Sequence, residues 1–133
     1  MVNKTRIATN AAPPATGTYS QAIRTGDLVF VTAQTGRNPE TGKLKDGLEA
    51  QTRRMFSNID AILNAAGCSA ADIVKVTLLL KDIKDFKAVD VIYSAWLPGL
   101  GVTPLPTRTA FQAAALPAGA LVMMDVVAAF PLV

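Results

Sequence analysis

The sequence predicts an α+β domain, with a single mixed β-sheet and two helices on one face. Two segments repeat apolar side chains at the spacing of amphipathic helices, and short branched or aliphatic runs of strand length surround them. The predicted element order is β-β-α-β-α-β-β. The length of 133 residues suits one domain, and no linker, repeat or low-complexity segment divides it. We therefore expect residues 1–133 to fold as one unit.

The N-terminal part of the chain predicts a hairpin. Residues 5–7 are an expected short opening strand, and the proline-containing stretch at 10–18 has the composition of a loop. Strands are expected at residues 19–24 and 28–34, because a Thr-Gly-Asp turn separates two runs of strand length.

The clearest helical periodicity follows Asp46. The apolar residues on one stripe of this helix are Leu48, Met55, Phe56, Ile59, Ile62, Leu63 and Ala66. Asp46 and Glu49 stand three residues apart, which is the spacing of a capping box, and Gly67 is a typical residue for the helix end. The pattern predicts a helix from about Asp46 to Ala66.

The C-terminal half predicts a buried strand, a second helix and a closing hairpin. Residues 73–80 are mostly aliphatic, and a helix is expected over about residues 85–97, ended by the Pro-Gly pair that follows. The last two strands, at residues 107–115 and 120–129, are expected to pair across the Leu-Pro-Ala-Gly turn between them.

Composition excludes several classes of site. The chain has no histidine, so imidazole metal ligands and histidine-based nucleophile pairs are excluded, and we expect neither a metal nor a cofactor. The single Cys68, expected to be a small filler residue, excludes an internal disulfide. The N-terminus is polar and no apolar run approaches about 20 residues, which predicts a cytoplasmic protein without a signal peptide or membrane span. A net charge of +3, scattered and without interleaved aromatics, makes nucleic acid an unexpected partner.

Three predicted strands are apolar along nearly their whole length. Those that begin near Leu28, Ile73 and Ala120 lack the alternation of a half-exposed strand and have the pattern of strands buried on both faces. Two helices cover only one face, so we expect a homo-oligomer assembled through the sheets. A charge at Val31 or Val122, whichever faces the partner, is expected to disrupt it. The alternative is a monomer with an exposed apolar sheet.

Residues 104–111 place one arginine at the start of an apolar strand. Arg108 is the only charged residue between Asp90 and Asp125. Its guanidinium stays protonated and presents a planar fork of donors that matches a carboxylate, so Arg108 is a candidate anion anchor. The alternatives are a solvent-facing side chain and a structural ion pair with one of the two aspartates.

Few other polar residues are candidates for a site. Tyr19 can donate a phenol at the junction of loop and strand, although a rim aromatic would also fit there. Thr109 and Gln34 can supply neutral hydrogen bonds. Asp90, expected on the inward face of the second helix, and Asp125, in an apolar strand, both require partners; either can be a site residue or a structural charge.

Several short motifs stand in a characteristic order along the chain: Ala12-Pro13 to Tyr19-Ser20-Gln21, Gln51 through Asn58-Ile59 to Ala65-Ala66-Gly67, Asp85-Phe86 with Tyr93, Pro106-Thr107-Arg108-Thr109 and Ala115-Leu116-Pro117. By these motifs the chain resembles the reactive intermediate deaminase family (Rid, YjgF-like), over essentially its whole length. The resemblance implies a homotrimer of chorismate-mutase-like folds with three clefts between subunits.

The resemblance also implies a reaction. The arginine that matches Arg108 binds the carboxylate of a 2-imino or 2-enamino acid, water releases ammonia, and a 2-keto acid remains. The tyrosine that matches Tyr19 lines the same cleft. Arg108 and Tyr19 are therefore the candidate catalytic residues. The candidate substrate-binding positions are Arg108, Tyr19, Ala33, Thr109, Met123 and Asp90.

Three positions depart from the family pattern. Met123 stands where deaminating members carry a water-orienting glutamate. The family's Ser-Gly-Gln at the end of the second strand is Thr32-Ala33-Gln34 here, which adds a methyl group near the ligand. Asp90 replaces an asparagine, and its negative charge would repel an anion. We expect deamination, weakened by these changes. The alternative is a non-catalytic module that binds small carboxylates or keto acids, and a distant third is a ribonuclease.

Overall fold

The computed structural model describes residues 1–97 and 101–131. Within them the chain forms six strands and two long helices, with short 3-10 turns between some of them. The elements are β1 (Thr5–Ile7), β2 (Ala22–Thr25), β3 (Leu28–Thr35), α1 (Leu48–Ala65), β4 (Ile73–Leu80), α2 (Phe86–Trp96), β5 (Thr107–Gln112) and β6 (Val122–Ala129).

The strands form one mixed sheet in the order β1-β2-β3-β6-β4-β5. All neighbours are antiparallel except β4 and β5, which run parallel and are joined through α2. A helical crossover is what a parallel pair requires, because a tight turn reverses the chain direction. The expected single mixed sheet with two helices is confirmed, and so is the opening strand at residues 5–7.

The predicted closing hairpin is wrong. β5 and β6 do not pair, because β4 lies between them and hydrogen-bonds to both. The two strands are also shorter than expected, and the turn between them holds Ala118 at φ 55. The residues that separate two strands in sequence do not reveal a third strand inserted between them, which explains the error.

The prediction for α1 is wrong at its N-terminus and confirmed at its C-terminus. Its N-cap is Gly47, at φ 85, and no side chain caps the first turn, so the expected Asp46–Glu49 capping box is absent. Glu49 accepts a hydrogen bond from Arg53 on the exposed surface instead. At the other end, α1 stops at Ala65 and Gly67 follows its C-cap at φ 84, as expected. The predicted stop of α2 at Pro98-Gly99 lies outside the described residues.

The two faces of the sheet have different surroundings. Both helices pack on one face, over side chains that alternate along the strands and are almost fully buried: Val29, Val31, Val76, Leu78, Leu80, Val122, Met124, Val126 and Ala128. On the opposite face, Phe30 is 45% and Phe111 44% exposed, and we call this surface the helix-free face. Val31 and Val122 are buried under the helices, so the expectation that one of them faces a partner is wrong.

Among the described residues, neither helix combines the length and the apolar character that a membrane crossing demands.

Candidate functional site

Arg108 lies on the edge strand β5 and reaches over α2. Its guanidinium carbon lies 5.0 Å from the ring centre of Phe86 and 4.8 Å from that of Tyr93. Nη1 donates a hydrogen bond to Oδ1 of Asp90 at 2.6 Å. Asp90 follows Phe86 by four residues and precedes Tyr93 by three, so all three lie on one face of α2. This group of four side chains is called the arginine region below.

Arg108 forms its ion pair with Asp90 and not with Asp125. The Arg108 side chain is 28% exposed and that of Asp90 36% exposed, so water reaches both. Burial raises the pKa of Tyr93, with Arg108 opposing this rise and Asp90 adding to it. The contact uses one guanidinium nitrogen and one carboxylate oxygen, which leaves other donors of the arginine available to a ligand.

Tyr19, Ala33 and Met123 line one cleft of about 130 Å³, called the tyrosine cleft below. Tyr19 is 52% exposed, and its hydroxyl accepts a hydrogen bond from the Thr16 N–H at 3.3 Å. The expected strand over residues 19–24 begins only at Ala22, so Tyr19 belongs to the preceding loop. The other lining residues are Pro13, Pro14, Thr16, Gln34, Thr35, Arg37 and Pro117.

The buried side chain of Gln21 organises the loop that carries Tyr19. Its Oε1 accepts from the Thr9 N–H at 2.7 Å, and its Nε2 donates to the carbonyls of Thr9, Ala12 and Pro13 at 3.1, 3.3 and 2.7 Å. One amide, at the end of the loop, thus satisfies backbone groups at its beginning, in a stretch without regular secondary structure. Gln21 occurs in the family motif, but nothing in its sequence context indicated this role.

The opposite wall of the tyrosine cleft is held against α1. Asn58, fully buried on that helix, donates from Nδ2 to the carbonyls of Thr35 at 3.1 Å and Arg37 at 2.9 Å. Gly36, between them, lies so close to Gln51 that a Cβ there would come within 2.3 Å of its backbone. Asn58 is a polar residue on the otherwise apolar stripe of α1. This was the sequence signal that could have indicated a buried hydrogen-bonding role for it. Arg37, which sequence reasoning also missed, adds a cation to the cleft lining.

The arginine region and the tyrosine cleft do not meet within one chain. Val76 pairs with Arg108 on one side and Val126 on the other, which places Arg108 level with a residue three positions beyond Met123. Met123 therefore lies about 10 Å along the strands and about 10 Å across the sheet from Arg108. The two side chains also lie on opposite faces, since Arg108 contacts α2 whereas Met123 stands between Val122 and Met124, which point to the helices.

The remaining candidates lie apart from Arg108. Thr109 follows it on β5 and so occupies the helix-free face, in register with Thr77 and Asp125. Asp125 is not among the residues that line the tyrosine cleft, whereas Gln34 borders it and is 6% exposed. Cys68 is buried, which raises the pKa of its thiol, as expected for a filler residue without a base.

Residues 1–97 and 101–131 contain no cluster of three or more acidic or cysteine side chains placed to hold a metal ion.

The sheet order and the two-helix layer define a class of α+β proteins, and comparisons with known proteins narrow this class to one family. The family described as Endoribonuclease L-PSP matches residues 9–130. The chain belongs to this family, whose members include the reactive intermediate deaminases (Rid, YjgF-like proteins), as its sequence motifs indicated.

Relatives of known sequence and structure support this assignment. The chain is 40% identical to Reactive Intermediate Deaminase A, chloroplastic, of Arabidopsis thaliana over 96% of its own length and 66% of that longer protein. It is 39% identical to the 2-iminobutanoate/2-iminopropanoate deaminase of Rattus norvegicus, over 92% of this chain and 87% of that one. The crystal structure of RidA from an Antarctic Psychrobacter superposes with a TM-score of 0.89 at 40% identity, covering 95% of this chain and 99% of that chain.

Proposed function

We propose that this protein hydrolyses small 2-imino acids, and their 2-enamino tautomers, to 2-keto acids and ammonia. The observation that carries the proposal is that the guanidinium of Arg108 donates only one described hydrogen bond, to a single carboxylate oxygen of Asp90. The rings of Phe86 and Tyr93 lie against the same guanidinium and support it. The remaining donors of the fork can bind the carboxylate of a substrate in a fixed orientation. The deaminase names of the relatives from Arabidopsis and rat support the same reaction.

The active unit in this proposal is a homotrimer, with each site between two subunits. One chain carries the arginine region and the tyrosine cleft on opposite faces of its sheet, so a substrate bound at Arg108 has no access to its own Tyr19. The helix-free face, which includes Phe30 and Phe111, is the apolar surface through which copies would assemble. Assembly would bring Arg108 of one subunit to the tyrosine cleft of the next.

The reaction requires little acid–base chemistry from the protein. Water adds to the C=N carbon, the nitrogen takes up protons, and the C–N bond of the resulting carbinolamine breaks to release ammonia and leave the keto group. Imines undergo this addition readily, so fixing the carboxylate and the water supplies much of the expected rate. Tyr19 can orient either group through its phenol. Met123 offers no carboxylate for the water, and we expect a slower enzyme than one with glutamate there.

A coupled assay tests the proposal. An amino-acid oxidase generates the 2-imino acid from an amino acid in place, and the loss of the imine is followed with and without this protein. We expect acceleration over buffer that disappears in Arg108→Ala. No acceleration with saturating amounts of clean, folded protein would refute the enzymatic function.

A second candidate function is a non-catalytic module that binds small carboxylates or keto acids. Met123 in the tyrosine cleft favours it, since a thioether cannot take a proton from water. Calorimetry with 2-ketobutyrate separates the candidates, because binding without imine turnover would favour the module.

Cleavage of single-stranded RNA is the third candidate, and the description of the family is what favours it. The net charge of +3 is small, and the aromatic residues Phe86 and Tyr93 contact Arg108 instead of forming an open stacking surface. Incubation with a labelled single-stranded RNA is expected to leave it intact.

A further inference from the structure

Asp90 already accepts a hydrogen bond from the Arg108 guanidinium, which is the proposed binding group for a ligand carboxylate. Its Oδ1 lies 2.6 Å from Nη1 of Arg108, which is short for a hydrogen bond between charged groups. Oδ2 accepts no hydrogen bond from the described residues, and the Asp90 side chain is 36% exposed, which leaves this oxygen open to a ligand donor. Any ligand carboxylate that approaches Arg108 therefore approaches an arginine whose charge is balanced by an adjacent anion.

This arrangement has a different effect on different ligands. A 2-keto acid carries one negative charge and no cation. When its carboxylate binds Arg108 it lies beside the negative charge of Asp90, which repels it. A 2-imino acid in its protonated form carries a positive nitrogen on the carbon next to the carboxylate. Such a ligand can direct its carboxylate to Arg108 and its nitrogen to the open oxygen of Asp90, which gives alternating charges instead of two adjacent anions.

We propose that Asp90 is a specificity-determining residue that selects ligands with a cationic nitrogen beside the carboxylate over 2-keto acids. The proposal rests on the proposed function, in that Arg108 is taken as the carboxylate anchor. It assigns the Arg108–Asp90 pair two roles: binding the protonated imino acid, which is the form most open to attack by water, and disfavouring the keto-acid product. Asp90 thus promotes release of the product from the same site that bound the substrate.

Two stable ligands test this selectivity without any turnover. 2-Ketobutyrate is the anionic probe, and 2-aminobutyrate, which carries an ammonium beside its carboxylate, is the zwitterionic probe. Calorimetry measures the dissociation constant of each for the unsubstituted protein and for Asp90→Asn. The asparagine side chain is nearly the same size and can still accept the hydrogen bond from Arg108, so the variant removes the charge and retains the contact.

We expect Asp90→Asn to bind 2-ketobutyrate roughly three- to tenfold more tightly, the range for a partly exposed charge interaction, and to bind 2-aminobutyrate no better or more weakly. Asp90→Glu retains the charge and is expected to keep the preference for the zwitterion. Asp85→Asn is the matched control, because it removes one negative charge from the start of the same helix without contacting Arg108. It should change neither constant.

The outcomes separate this inference from the function on which it rests. If Asp90→Asn changes both constants by the same factor, or neither, while Arg108→Ala abolishes binding, the role of Asp90 is refuted and the anchor stands. If Arg108→Ala leaves both constants unchanged, or if the unsubstituted protein binds neither probe, the anchor itself is refuted, and with it the proposed function.

Discussion

The arginine region and the tyrosine cleft are held in place by opposite means. The arginine region consists of charged and aromatic side chains that contact one another across α2 and β5, and its central cation is paired within the chain. The tyrosine cleft is a loop and strand end whose backbone is fixed by buried amides, while Tyr19 itself stays largely exposed.

This difference indicates what each region contributes to a site. The arginine region offers a cation whose charge Asp90 already balances. The tyrosine cleft offers shape and a phenol, and its cation Arg37 has no ion-pair partner among the described residues. Neither region forms a complete site for an imino acid, which is why the assembly of chains is the first property to test.

The largest effect is expected from a charge on the helix-free face. Phe30→Asp places a carboxylate on the proposed interface, and burying it unpaired should cost several kcal/mol. We expect sedimentation to report a folded monomer in place of a trimer, with imine hydrolysis lost, since the two regions would no longer come together.

Val91→Asp is the matched control for Phe30→Asp. Val91 is 71% exposed on α2, away from the helix-free face, so its substitution should change neither assembly nor activity. A stable monomer of the unsubstituted chain that still accelerates imine hydrolysis would contradict the proposal that each site combines the arginine region of one subunit with the tyrosine cleft of the next.

The next effect concerns the arginine region alone. Arg108→Lys keeps the charge and loses the planar fork, so 2-ketobutyrate binding should weaken by about 1.5–3 kcal/mol, the range for hydrogen bonds to charged groups. Arg108→Ala should weaken it at least as much. The ion pair with Asp90 is partly exposed, so either variant should lose less than about 1 kcal/mol of folding stability.

Calorimetry and thermal melting on the same two arginine variants provide the readout. Arg53→Ala is the control, because it also breaks an arginine–carboxylate contact, the exposed pair with Glu49, and belongs neither to the arginine region nor to the tyrosine cleft. A marked loss of stability in Arg108→Ala with unchanged binding would mean that Arg108 is only a structural partner of Asp90.

A smaller effect is expected in the loop of the tyrosine cleft. Gln21→Ala removes four contacts to loop backbone groups, and partial replacement by water leaves an expected loss of about 1–2 kcal/mol. Imine hydrolysis should fall while 2-ketobutyrate binding at Arg108 changes little.

Gln112→Ala is the comparison for Gln21→Ala, since its exposed side chain accepts a single hydrogen bond, from the Ile83 N–H at 3.0 Å. It should lose less stability and leave hydrolysis intact. Equal losses of melting temperature and activity in the two glutamine variants would argue against a special role for Gln21.

The smallest effect is expected behind the arginine region, where Asp60 on α1 accepts hydrogen bonds from Nε1 of Trp96 on α2 at 3.1 and 3.2 Å. Burial raises the pKa of Asp60, and the Trp96 hydrogen bond opposes this rise. The folded state then holds the proton more readily than the unfolded state. The associated stability is present at acidic pH and is lost as the pH rises through the raised pKa.

Asp60→Asn should therefore stabilise the protein near neutral pH by less than about 1 kcal/mol, with a smaller gain at mildly acidic pH. Melting temperatures at both pH values measure the difference, with the exposed Asp46→Asn as the control. A gain that grows as the pH falls would show that the sign is wrong. Binding of 2-ketobutyrate should not change.

Local patterns were sufficient for much of the fold and part of the site. The apolar stripe of α1 and the stop at Gly67 depend on residues within a few turns of one another, and both were predicted correctly. Arg108 stood out because no other charge lies near it in sequence. Family motifs then indicated Tyr19, which lines a cleft together with Ala33 and Met123. That this cleft also receives Arg108, as the resemblance implied, stays a prediction.

What the sequence by itself determined was the number, type and approximate limits of the main elements, together with the family. These follow from side-chain periodicity and turn chemistry, which act over a few residues. Only the tertiary structure decided that β4 separates β5 from β6, that Val31 and Val122 face the helices, and that Asp90 pairs with Arg108. Those features depend on which distant segments pack together, and a strand turned to its other face exchanges every buried side chain for an exposed one.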